Sequence, residues 1–157
     1  MAKNNNKRRF IVTLLLFVAL LFNVIVRTNA LNVNSAQVAN GAATKLVVTL
    51  SADVDNGGST LVAGEWGVSI AGGAFNAPSG IAVAAGKLEL TIPQVTHGQS
   101  IAYKFTDTTS EILDAGANEL ATFGSTSATN NVKPILSSAA VGSNTADELV
   151  LTFISTC

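Results

Sequence analysis

Beyond residue 30 the apolar residues fall in short runs of period two, cut by clusters of Gly, Asn, Ser and Asp. That period puts alternate side chains on opposite faces, so each run reads as a strand with one side on a core and one on solvent. Lys45–Ser51 is one such run, bounded by Asn40-Gly41 and by Asp53–Gly58. Trp66–Ile70 alternates Trp66, Val68 and Ile70 with Gly67 and Ser69. Ile81–Ala84 and Lys87–Ile92 read as a hairpin joined at Ala85-Gly86, with Leu88, Leu90 and Ile92 on one face. Ile101–Thr106 places Ile101, Tyr103 and Phe105 together, while Ala121–Phe123 and Ser127–Asn131 are weaker runs that would close the sheet. Asp114–Leu120 is compatible with a short helical turn. Strands at this spacing predict an all-β antiparallel fold, a sandwich or a small barrel.

The first thirty residues are of a different kind. Lys3, Lys7, Arg8 and Arg9 precede an apolar stretch from Phe10 to Val26, broken by Asn23, and Arg27, Thr28, Asn29 and Ala30 follow. A charged start, an apolar middle and a small-x-small end make a secretory signal helix, with cleavage expected near Ala30. The alternative is an uncleaved anchor, since a stretch of about 17 residues is the lower limit for spanning a bilayer. In that case alone would the chain meet a membrane.

Setting the leader aside reverses the charge. All five leader charges are basic, which leaves Lys45, Lys87, Lys104 and Lys133 against ten acids, a formal charge of −6 with no arginine. Nucleic acid requires cationic groups to replace its counterions, so it is not an expected partner. An anionic membrane surface is disfavoured for the same reason. Cys157 is the single cysteine, so no internal disulfide forms and stability must come from sheet packing.

The two ends of the chain resemble each other. Ser35, Ala36, Val38, Leu46, Val47 and Thr49 recur identically as Ser138, Ala139, Val141, Leu149, Val150 and Thr152, at one ungapped offset of 103 residues. Val48 and Leu50 meet the apolar Leu151 and Phe153. The period equals one sandwich domain. Residues 31–133 are therefore expected to be one module and 134–157 the truncated start of a second, with Pro134 at the junction. Two strands cannot bury a core. Either the sequence is part of a longer reading frame, or its tail pairs with another chain by strand addition.

The stretch Pro134–Val141 followed by Leu149–Phe153 resembles the opening of SwmB domains, modules of very long bacterial surface proteins that include cyanobacterial repeat proteins linked to swimming motility. Tyr103–Asp107, Leu113–Asn118, Phe123 and Thr129–Asn131 are similar to the module's close, although Ala117 intervenes between Gly116 and Asn118, and Thr108 stands where proline is often found. The resemblance covers roughly residues 33–157. It implies an immunoglobulin-like antiparallel β-sandwich in a secreted or surface-attached bacterial repeat protein with no enzymatic activity. Its partners would be neighbouring modules or cell-surface components.

Few residues offer chemistry. His97, the only histidine, lies in Thr96-His97-Gly98-Gln99 after Pro93 and reads as an exposed turn residue. No Gly-x-Ser-x-Gly elbow is present. One His and one Cys cannot supply a four-ligand zinc site. Calcium is the one ion the sequence offers ligands for. Asp53, Asp55 and Asn56 lie in an oxygen-rich run closed by Gly57-Gly58, and Asp107, Asp114 and Asn118 with Glu119 form a second. Read as plain inter-strand turns, the same residues need no ion, because Asp, Asn and Gly favour turns on their own account. Trp66 and Tyr103 are alone of their types and fall in alternating strands, which predicts core positions in place of an aromatic carbohydrate-binding face. A calcium-stabilised module that binds carbohydrate or another ligand is the alternative to a structural one.

Overall fold

The computed structural model describes residues 30–154 apart from Ser110, Ser143 and Asn144. The expected leader, Ala30 excepted, and Cys157 lie outside the described residues. The compact unit is Leu31–Cys157. It contains its own apolar core and strand ladders, so it is a unit able to fold independently.

The protein is all-β. Its strands are β1 (Val33–Val38), β2 (Lys45–Leu50), β3 (Trp66–Ile70), β4 (Gly80–Ala84), β5 (Lys87–Thr91), β6 (Ile101–Phe105), β7 (Phe123–Asn130), β8 (Ile135–Gly142) and β9 (Thr145–Ile154). One 3-10 turn, Ala63–Glu65, leads into β3. Seven strands form a curled sheet in the order β3-β6-β7-β1-β2-β5-β4. The expectation of a purely antiparallel sheet is corrected here: β1 and β7 run parallel, joined at Gln37↔Thr129 and Val38↔Asn130. The reason is connectivity: β7 lies between β6 and β1, and the direction that pairs it antiparallel with β6 runs it parallel to β1.

Alternation decides the core. Leu46, Val48 and Leu50 of β2, Leu88 and Leu90 of β5, and Ile101, Tyr103 and Phe105 of β6 are buried, with more exposed residues between them. They join Ala36, Val38, Trp66 and Val68 in one cluster drawn from both halves of the sheet. Each large side chain buried there contributes about 1.5–3 kcal/mol. Trp66 packs on Phe105 with centroids 4.9 Å apart and meets Phe123 edge-on at 5.9 Å, while Tyr103 meets Phe123 edge-on at 5.7 Å. Trp66 and Tyr103 thus occupy the core positions expected of them.

Two local expectations change. Asp114–Leu120 is not a helical turn: Asp114 N donates to Asn118 O at 3.1 Å and Leu113↔Glu119 is a β-bridge, so the segment folds back on itself. Phe123 and Ser127–Asn130 fall in the single strand β7, because pairing with β6 carries it through Gly124–Thr126, while Ala121, Thr122 and Asn131 lie outside it.

β8 and β9 make a separate two-stranded sheet. Its register repeats that of β1 and β2. The pairs Val33↔Leu50, Ser35↔Thr49, Ala36↔Val48, Gln37↔Val47 and Val38↔Leu46 correspond to Leu136↔Phe153, Ser138↔Thr152, Ala139↔Leu151, Ala140↔Val150 and Val141↔Leu149. The irregularity between Val33 and Ser35 recurs between Leu136 and Ser138. Burial is what differs: Leu46 is 0% exposed and its counterpart Leu149 61%.

Candidate functional site

The oxygen-rich runs around Asp53 and Asp114, some sixty residues apart in sequence, lie side by side. Val54 and Asp114 form an antiparallel bridge, as do Thr60 and Glu111. Asp55 N donates to Leu113 O at 2.7 Å, and Ser59 Oγ accepts from Leu113 N at 3.0 Å. Local sequence explains each turn. Asp55 Oδ1 accepts from Gly57 N at 3.0 Å, and Ser59 N donates to Asp55 O at 3.0 Å, the self-closing habit of aspartate in turns. Asn56 is exposed in that turn.

The Asp114 turn is more tightly held. Asp114 Oδ1 accepts from Gly116 N at 2.8 Å and Asn118 N at 2.9 Å, and the Asn118 side-chain amide donates to both carboxylate oxygens at 3.1 and 2.9 Å. These bonds, the Asn118 side chain first, hold the Asp114 carboxyl below the ordinary carboxylate range. Hydrogen bonds within the turn therefore engage both oxygens.

The remaining candidates sit at the edges of this pair of turns. Asp53 is exposed and lies against Gly86 at the tip of the β4–β5 hairpin, and Val54 N donates to Gly86 O at 2.9 Å. Gly86 (φ +73°) has the left-handed conformation that the hairpin tip requires. Asp107 is tied elsewhere, its amide donating to Thr122 Oγ1 at 2.8 Å. Among the described residues no three His, Cys, Asp or Glu side chains gather as a metal-binding group. The oxygen-rich surface consists of Asp53, Asp55 and Asn56 on one turn, facing a neighbour whose carboxylate is already bonded.

Sequence reading missed Glu65. Its Oε1 accepts from Thr109 N at 2.7 Å, from Thr109 Oγ1 at 2.8 Å and from the Thr108 hydroxyl, so it pins the segment after β6 to the 3-10 turn. The only available signal was a lone glutamate before a strand, which has no distinguishing pattern. His97 is exposed, as expected of a turn residue, and its Nδ1 is 2.8 Å from Val132 O. It clamps the turn to the chain after β7.

No protein-family model, curated protein or solved structure matches this chain.

Proposed function

We propose that this chain is a non-enzymatic structural and adhesive module of a tandem-repeat protein, exported through its leader and secreted or held at the cell surface. Residues 31–133 would be one immunoglobulin-like sandwich and 134–157 the opening hairpin of the next. One observation carries the reading: the β8–β9 ladder reproduces all five β1–β2 pairs and the position of their irregularity at a constant offset of 103 residues. A bulge is a placed feature of a strand pair. Its recurrence in register is more than biased composition would produce.

The strand order supports the finer fold. Taken as β1-β2-β5-β4 beside β3-β6-β7, the curled sheet follows the four-against-three arrangement of constant-type immunoglobulin domains, with a buried tryptophan on the third strand. The resemblance to SwmB modules agrees with that arrangement. Neighbouring modules and cell-surface components are the partners this role requires.

Mechanical unfolding of residues 31–133 between handles tests the role. A spacer module should yield in one discrete step that releases about 340–370 Å of chain, at roughly 3.3–3.6 Å per residue. Gradual lengthening without a step would refute it. The second reading, a calcium-stabilised ligand-binding module, draws on the exposed Asp53, Asp55 and Asn56 beside the Asp114 turn. A melting midpoint that rises with calcium and falls on chelation would support it, and an unchanged midpoint would remove it.

A further inference from the structure

The seam between β1 and β7 is tied only at its ends. Gln37↔Thr129 and Val38↔Asn130 close one end, and the parallel bridge Leu31↔Leu120, with Leu31 N donating to Glu119 O at 3.3 Å, closes the other. Between these ties the two strands part around an open groove of about 360 Å³, whose lining residues Asn34, Ser35, Thr126 and Ser127 are exposed. That volume is within the range of pockets that hold small ligands. Asn34 and Ser35 line it from β1, Thr126 and Ser127 from β7, and Tyr103 and Phe123 also border it.

Three properties define what fits. First, no Asp, Glu, Lys, Arg or His lines the groove, in a unit that is otherwise acidic. A charged ligand would lose hydration there and meet no counter-charge, so the ligand is neutral. Second, Tyr103 is 1% exposed, and its hydroxyl has no hydrogen-bond partner among the described residues. The buried side-chain atom left unpaired among the described residues is Trp66 Nε1, so the Tyr103 hydroxyl keeps contact with solvent and offers one donor and one acceptor at the groove. Burial pushes the phenol's pKa up, so the group keeps its proton near neutral pH. Third, the exposed Ser35 and Ser127 side chains border the groove and make no hydrogen bond to another described residue, so their hydroxyls are available to a ligand. Neutral donors and acceptors beside the half-buried Phe123 ring match a ring that carries hydroxyls on its rim and C–H groups on its faces.

We propose that the groove between β1 and β7 binds one neutral sugar residue of a glycan. The ties at both ends leave space for a compact ring and block an extended strand from running along the seam. The site belongs to a single module and does not depend on the tandem arrangement, so the two ideas fail separately.

The test is amide NMR of residues 31–157 titrated with a panel of neutral mono- and disaccharides. At least one sugar should move the amides of Ser35, Thr126 and Ser127 together. Tyr103→Phe should weaken that sugar about five- to tenfold, the worth of one hydrogen bond, while leaving the melting temperature unchanged or higher, since the lost hydroxyl had no partner. Ser127→Leu should block binding in a chain that still shows the dispersed spectrum of the wild type. A panel that moves no amide, shifts centred elsewhere, or full affinity in Tyr103→Phe would each overturn the proposal. So would an unglycosylated extended peptide that moves the same amides when the sugars do not, because the seam would then be a strand-addition site.

Discussion

Leu46→Ala and Leu149→Ala are the same substitution at corresponding positions of two hairpins, and they should behave oppositely. Leu46 is fully buried, paired with Val38 on one side and Leu90 on the other. Its truncation removes the transfer energy of the lost carbons and leaves a cavity that a sheet ladder cannot collapse, about 3–5 kcal/mol. Leu149, paired with Val141, is 61% exposed. Its truncation should cost about 0.5 kcal/mol or less. For a unit of this size each kcal/mol corresponds to roughly 3–5 °C, so Leu46→Ala should lower the midpoint by about 10–20 °C and Leu149→Ala by under about 3 °C. Urea and thermal unfolding of residues 31–157, followed by the fluorescence of the single buried Trp66, reads both. The urea slope should stay constant, so that the shift reports stability rather than a changed unfolded state. Equal losses from the two variants would show that the β8–β9 hairpin shares the core of the first seven strands, and the modular reading would fall.

Three further outcomes follow from individual residues. Gly86→Ala places a methyl in the left-handed region and against the Asp53 carboxylate, so it should cost about 1–3 kcal/mol in chemical denaturation. Trp66 Nε1 is a buried donor without a partner among the described residues. Trp66→Phe removes that unmet donor, worth about 1–3 kcal/mol, and should therefore be milder than Phe105→Ala, expected at about 3–5 kcal/mol. Asp114 has a folded-state pKa below its unfolded value, so its stabilising effect is present above about pH 4 and lost as pH falls through the folded value. Asp114→Ala should accordingly melt lower than the wild type at neutral pH, with the two melting curves converging in acid, below the ordinary carboxylate range, by circular dichroism. A gap that persists undiminished in acid would contradict the assigned hydrogen bonds.

The strands that declared themselves in sequence are those whose alternation is strong. Trp66–Ile70 and the hairpin turning at Ala85-Gly86 match their sequence reading closely, because apolar residues fill one face and the turn demands positive φ. β1 gave no such signal: of Val-Asn-Ser-Ala-Gln-Val only Ala36 and Val38 are buried. Its parallel pairing with β7 joins residues some ninety positions apart, which no local pattern reports. The oxygen-rich turns were legible singly from their Asp, Asn and Gly content. Their meeting at Val54↔Asp114 was not, because it depends on the path of the whole chain. The same holds for the β1–β7 groove, whose Ser and Thr residues look like ordinary strand surface until the seam parts.

The modular claim is tested most directly by giving the β8–β9 hairpin the strands it would have in a second module. In register, residue 50 corresponds to residue 153, so residues 51–133 are joined after Phe153 of the 31–153 chain, and the unfolding enthalpy is measured by calorimetry. A second folded unit should appear, adding roughly 70 kcal/mol for about a hundred residues at about 0.7 kcal/mol per residue. Leu149→Ala, harmless before, should become destabilising in the extended chain. An enthalpy no larger than that of residues 31–157 alone, with Leu149→Ala still without effect, would contradict the modular claim.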